Sequence, residues 1–195
     1  MKHPSIRELF DYWNAQRGPR PAPERSDIEP GAIRRVLADT FILCCEPRAR
    51  HSFRIAGTRV CAMFGRDLKG QAFLDLWSIG CRKDVRELLS IVSEESAGVV
   101  ASVSGTSIAG ATLGLELVLL PLTFHGRTDA RFLGALAPGE APPWLGISTL
   151  TSLTLGSYRF VGLDVTRPPA PRAGGAAPHG GRVQHGFIVY EGGRS

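Results

Sequence analysis

The segment from Phe53-Arg54-Ile55-Ala56-Gly57-Thr58 to Phe64-Gly65-Arg66-Asp67-Leu68-Lys69-Gly70 constrains this chain more than any other stretch. A β-rich run over 52–56 breaks at Gly57 and passes into a helix of one to two turns, capped by Thr58. Gly65 stops that helix, and Arg66 to Gly70 makes a turn. Within the helix Val60, Met63 and Phe64 fall together, so it is too short to stand alone and must lie on a sheet. A second short helix is predicted over 71–77, with Phe73, Leu74 and Trp77 inward. The longest periodic stretch, 81–97, places Val85, Leu88, Leu89 and Val92 on one stripe, with Arg82, Lys83, Glu87, Glu94 and Glu95 mostly outside it.

Strands flank this helical block. Thr40 to Cys45 reads as a first strand, and Glu46 to Arg50 as the turn that folds 52–56 back as a hairpin. Three more follow at 98–104, 113–122 and 131–137, and 157–163 is a further candidate. In 113–122, Leu115, Leu117 and Leu119 share one face while Val118, Leu120 and Leu122 share the other. A strand apolar on both faces lies inside a sheet covered on both sides, or at an interface.

Before the sheet, Ser5 and Glu8 fit a capping box, and Ile6, Leu9, Phe10 and Trp13 form an apolar stripe. Gly18-Pro19 ends this helix, and a proline-stiffened connector follows. Asp27-Ile28-Glu29-Pro30 is expected to start a second helix with Ile33, Val36 and Leu37 inward. The stripe of the first helix must be buried, either on the back of the sheet or on a second copy. Ile6, Leu9, Phe10 and Trp13 are therefore candidate interface residues. The chain divides into a helical extension (1–38), an α+β domain (39–165) and a tail rich in Pro, Gly and Arg (166–195), for which disorder is expected. Gly186 to Tyr190 is an apolar island in that tail.

The chain has 195 residues and a formal charge of +5. The tail holds Arg167, Arg172, Arg182 and Arg194 against Glu191 alone, so the body is nearly balanced. All but three of the 23 basic residues are arginine, a bias that goes with the abundant Ala, Gly and Pro. A nucleic-acid or anionic-surface binder using Arg34, Arg35, Arg48, Arg50 and the tail is the alternative reading, and it is disfavoured by the balanced body. Residues 1–10 lack the apolar core of a secretory signal, and the run 108–122 is broken by Glu116 and Pro121. The expectation is a cytoplasmic protein with no membrane span and reduced cysteines.

The order strand, strand, three helices, three strands resembles a PAS domain. Three blocks carry the likeness: Tyr12-Trp13 to Arg17-Gly18 with Pro23, Arg25 and Asp27-Ile28-Glu29-Pro30; the 53–70 segment; and Glu116-Leu117-Val118-Leu119-Leu120-Pro121-Leu122 with Phe132-Leu133-Gly134-Ala135-Leu136. Together they resemble a family of bacterial stand-alone PAS-domain proteins, formerly a domain of unknown function, over roughly residues 6 to 137. The resemblance implies an α+β fold: a five-stranded antiparallel sheet with short helices and one long helix over one face, plus a flanking N-terminal helix. It implies a sensory or regulatory module rather than an enzyme, acting through ligand-dependent or constitutive protein–protein interaction, with a homodimer or a signalling protein as partner. The candidate pocket residues are Phe53, Val60, Met63, Phe64, Leu68, Phe73, Trp77 and Leu88, with a closed core as the competing reading of the same pattern.

The resemblance supplies no cofactor, so the cofactor stays unknown. Cysteine photochemistry in PAS relatives uses an Asn-Cys-Arg-Phe-Leu-Gln motif, whereas Cys61 precedes Ala62-Met63-Phe64. Haem-binding relatives use a histidine near the pocket helices. None occurs between His51 and His125, and both of those fall in expected turns, so the main route to haem would be a non-histidine ligand such as Met63 or Cys61. Flavin and haem are therefore disfavoured. The cysteines (Cys44, Cys45, Cys61, Cys81) lack metal-ligand spacing. Nucleophile elbow, zinc-protease and phosphate-loop motifs are missing, so no catalytic residue is assigned. Arg82 and Arg86 read as a solvated helix face, and Arg54 is a candidate cross-strand partner for Glu116.

Overall fold

The computed structural model describes residues 1–46, 50–124, 127–162, 182–184 and 187–189. Six strands form one antiparallel sheet: β1 (Thr40–Glu46), β2 (Arg50–Ala56), β3 (Gly98–Ser107), β4 (Thr112–Phe124), β5 (Arg127–Pro138) and β6 (Leu150–Val161). Their order is β2-β1-β5-β4-β3-β6. The α+β, PAS-like architecture is as expected. The sheet has one strand beyond the five, supplied by the candidate near 157–163. That strand begins earlier, at Leu150, because Leu150 and Leu153 pair with Ser107 and Gly105 of β3 and turn inward. A separate hairpin, β7 (Arg182–Gln184) with β8 (Phe187–Val189), takes in part of the tail's apolar island. The turn residues 47–49, most of the Pro/Gly/Arg-rich stretch, and His125, His179 and His185 lie outside the described residues.

The sheet has a covered front and a covered back. α1 (Pro4–Arg17) lies on the back against β4 and β5. On the front lie α2 (Thr58–Phe64), a 3-10 turn at Phe73–Leu76, and α3 (Arg82–Glu95). α1 and α3 each have 14 residues, so among the described residues there are two long helices, one per face. The double apolar pattern of β4 is the direct sign of this arrangement: Leu115, Leu117 and Leu119 enter the front core, and Val118, Leu120 and Leu122 the back core.

Three local expectations need correction. The capping box at Ser5 does not form. α1 starts two residues earlier than that cap implies, at Pro4, and the His3 side chain accepts from the Ser5 N–H at 3.2 Å. The Ser5 hydroxyl is drawn away to the buried Asp39 carboxylate, 2.7 Å distant. No helix follows Asp27 either. Residues 28–39 run as successive tight turns whose backbone bonds mostly span three residues, as in Ile33 N–H to the Pro30 carbonyl. Ile28, Ile33 and Val36 all reach the back core. The successive turns, ending in a 3-10 turn at Leu37–Asp39, carry all three residues to one sheet face. Leu37, expected inward, is 37% exposed. Thr58 is the first residue of α2 and not its cap; Gly57 holds the cap position.

Gly57 and Gly65 set the limits of α2. A side chain at 57 would place its Cβ 2.3 Å from the Leu37 carbonyl oxygen and 2.4 Å from that of Ala38. Gly65 has φ 63°, the left-handed conformation that ends a helix at low cost only for glycine.

Candidate functional site: the front layer

β2 breaks at Gly57, and α2 turns its apolar side down onto the front of the sheet. The Gly70 N–H donates to the Phe53 carbonyl at 2.8 Å, and the Phe53 N–H donates to the Gln71 carbonyl at 2.9 Å. This short pairing covers the outer edge of β2 and delivers the chain to Phe73 and Trp77. α3 then closes the layer with Val85, Leu88, Leu89 and Val92.

All eight candidate pocket residues meet in one cluster. Phe53, Val60, Met63, Phe64, Leu68, Phe73, Trp77 and Leu88 are each at most 4% exposed. The aromatic rings form a connected set. Phe41 and Phe53 lie 5.4 Å apart between ring centroids, Phe53 and Phe73 5.7 Å, and Phe73 and Trp77 5.6 Å. Val60, Met63 and Phe64 all enter this same front core. Two open clefts lie beside α1, one against Lys2, Pro4 and Arg7, the other between Glu8 and Arg34-Arg35.

Two polar atoms interrupt this apolar layer. The Trp77 indole N–H is buried and unpartnered, and so is Nδ1 of His51. His51 is not in a turn, as expected from sequence, but in β2. It is 6% exposed, and its ring stands 5.3 Å from Phe132. Burial holds its pKa below the ordinary value of 6.5 and favours the neutral ring. Phe41, Leu43 and Phe132 also line the front core. Sequence reading passed over His51, Phe41 and Phe132. The signal for His51 was present, since it stands two residues before Phe53 on a strand and so shares its face.

The remaining candidates fall elsewhere. Ile6, Leu9 and Trp13 are fully buried against the chain's own sheet, and Phe10 keeps partial exposure. Trp13 Nε1 donates to the Pro121 carbonyl at 2.8 Å, which fixes α1 across β4. The expected Arg54–Glu116 pair does not exist. β2 and β4 are separated by β1 and β5, Arg54 is exposed, and Glu116 accepts the backbone N–H groups of Lys2 and His3 at 2.9 and 2.7 Å. Arg82 donates to the Trp77 carbonyl at 3.1 Å, while Arg86 is exposed. Cys44, Cys61 and Cys81 are free thiols. Among the described residues no three His, Cys, Asp or Glu side chains converge as a metal site, and no helix is long and apolar enough to cross a membrane.

A two-faced antiparallel sheet with short helices and one long helix over its front is a PAS-like α+β architecture. The family description for the PAS domain matches residues 1–137, and the chain belongs to that family. Among solved structures it is similar to the PAS domain of an HTR-like protein from Haloarcula marismortui. The two are 20% identical with a TM-score of 0.41, over 55% of this chain and 90% of that one. No curated protein matches this chain.

Proposed function

We propose that this protein is a non-enzymatic PAS-type regulatory module that works through protein–protein interaction, ligand-dependent or constitutive. Its partner is a second copy or a signalling protein. A small molecule, where one acts, engages the front layer. The observation that carries this reading is the convergence of Phe53, Val60, Met63, Phe64, Leu68, Phe73, Trp77 and Leu88 in one closed apolar layer. A close-packed layer of this kind has discrete packings rather than a continuum, so a change in it reaches the surface as a shift of its helices. A ligand acts on such a layer only through unequal affinity for two packings. The unpartnered Trp77 N–H and His51 Nδ1 are the polar groups that a ligand entering this layer would meet. The free thiols of Cys44, Cys61 and Cys81 fit a reduced, cytoplasmic setting.

Native mass spectrometry with sizing and affinity capture on the full chain tests the proposal. A dimer, a retained small molecule or a specific partner complex is expected. A tight monomer with no bound molecule and no captured partner overturns it.

A further inference from the structure

The sheet separates α1 from α2, yet one buried carboxylate touches both. Asp39 ends the turn before β1 and is 2% exposed. Its Oδ1 accepts from Arg59 Nε at 2.6 Å and its Oδ2 from the second guanidinium nitrogen at 2.7 Å. The same Oδ2 accepts the Ser5 hydroxyl at 2.7 Å. Arg59 is the second residue of α2, on the front, and Ser5 belongs to the first turn of α1, on the back.

We propose that Asp39 couples the front layer to the N-terminal helix, so that displacement of α2 is transmitted to α1 through the Arg59–Asp39–Ser5 contact. A buried carboxylate tolerates burial only while its cation and donors are in place. When the start of α2 moves, Arg59 either draws Asp39 with it, which strips Ser5 of its partner, or leaves a buried anion held by Ser5 alone. Both outcomes loosen the first turn of α1. Gly57 removes the slack on the other side. Its backbone lies directly on the Leu37 and Ala38 carbonyls, and its N–H donates to the Thr40 carbonyl at 2.8 Å. The start of α2 therefore cannot slide without moving residues 37–40. The Arg59 guanidinium is half-exposed, so its bidentate grip is open to competition from solvent or a partner while Asp39 is not.

As a mechanical coupling this stands on the packing alone; its use as a signalling route rests on the regulatory function proposed above. Hydrogen–deuterium exchange on the full chain, without ligand or partner, separates the two. Val60→Ala loosens the inner face of α2, and Val92→Ala loosens α3, which supplies none of the hydrogen bonds to Asp39 described above. At matched global stability, Val60→Ala should speed exchange of the α1 amides by about fivefold or more over Val92→Ala, a typical size for coupling between sites. Ser5→Ala should abolish that excess. Reciprocally, Ser5→Ala alone should speed exchange at Cys61 and Ala62, the first hydrogen-bonded amides of α2, while leaving the α3 amides unchanged, a readout that keeps the test open if Val60→Ala does not fold. Equal α1 responses to Val60→Ala and Val92→Ala, an excess that survives Ser5→Ala, or α2 amides indifferent to Ser5→Ala would each overturn the coupling. None of those results bears on whether the chain dimerises or binds a partner.

Discussion

On the back of the sheet a single helix and a string of tight turns are held by directional polar contacts. Trp13 donates to Pro121, Ser5 to Asp39, and the Tyr12 hydroxyl bridges Asp27 and Glu29. The Thr123 N–H donates to the Pro23 carbonyl, which fastens the connector to β4. On the front, directional bonds hold the ends of the elements, as in Gly57 to Thr40, Arg59 to Asp39 and Phe53 with Gly70 and Gln71, while the interior beneath α2 and α3 is apolar and buries the polar atoms Trp77 Nε1 and His51 Nδ1 without partners. Directional bonds specify one position, because a displaced group is left unsatisfied. Apolar contacts can be exchanged for others at small cost, provided volume is conserved. The back helix is thus pinned by specific bonds, whereas the interior of the front layer rests on apolar packing. On the proposed sensory role, that interior is the side expected to respond.

The largest test strikes the front core. Phe53→Ala removes a ring that contacts both Phe41 and Phe73, and should cost about 3–5 kcal/mol by urea unfolding. A cost near zero would mean that the front is not a packed layer at all. Next is Gly57→Ala, where the added methyl meets backbone oxygen rather than a movable side chain. It should destabilise by about 1–3 kcal/mol, with α2 and residues 37–40 losing exchange protection together.

A paired substitution sharpens the comparison itself. Trp13→Phe removes a satisfied indole N–H and orphans the buried Pro121 carbonyl, whereas Trp77→Phe removes an N–H that has no partner. Both rings are nearly fully buried, so the packing losses are similar. Trp13→Phe should therefore cost about 1–3 kcal/mol more than Trp77→Phe. Equal costs would erase the distinction between the layers.

The smallest effect is a pH dependence. Burial lowers the folded-state pKa of His51 below 6.5, so the unfolded chain binds the proton more readily. The stabilising preference for the neutral ring is intact above pH 6.5 and is lost progressively as pH falls from there toward the folded-state pKa. His51→Phe should flatten that part of the profile, read as urea midpoints at neutral and mildly acid pH. A slope unchanged by the substitution would place the titration elsewhere.

Much of this was legible in local pattern. The two-faced alternation of β4 announced a doubly covered sheet, and the segment 53–70 announced a strand, a short helix and a glycine stop. The eight front residues could be named because helical spacing and strand parity are set by local geometry. What escaped depends on long-range partners. Ser5 fits a cap in sequence, but Asp39, 34 residues later, takes its hydroxyl. Residues 27–38 carry helix-starting signals, yet packing against the sheet draws them into tight turns that bury Ile28, Ile33 and Val36 together. Glu116 was matched to Arg54 by charge, and the strand order, which no local pattern encodes, separates them by two strands. His51 lies next to a turn in sequence, and only the length of β2 brings it indoors.

The contrast between a fixed back and a responsive front meets its most direct test in hydrogen–deuterium exchange of the full chain across a wide dilution series. The amides of α1 should be strongly protected and equally so at every concentration, because Ile6, Leu9 and Trp13 are buried by the chain's own sheet, while α2 and residues 66–80 exchange faster. Protection of α1 that grows with protein concentration would contradict the account, since the stripe would then be covered by a second copy.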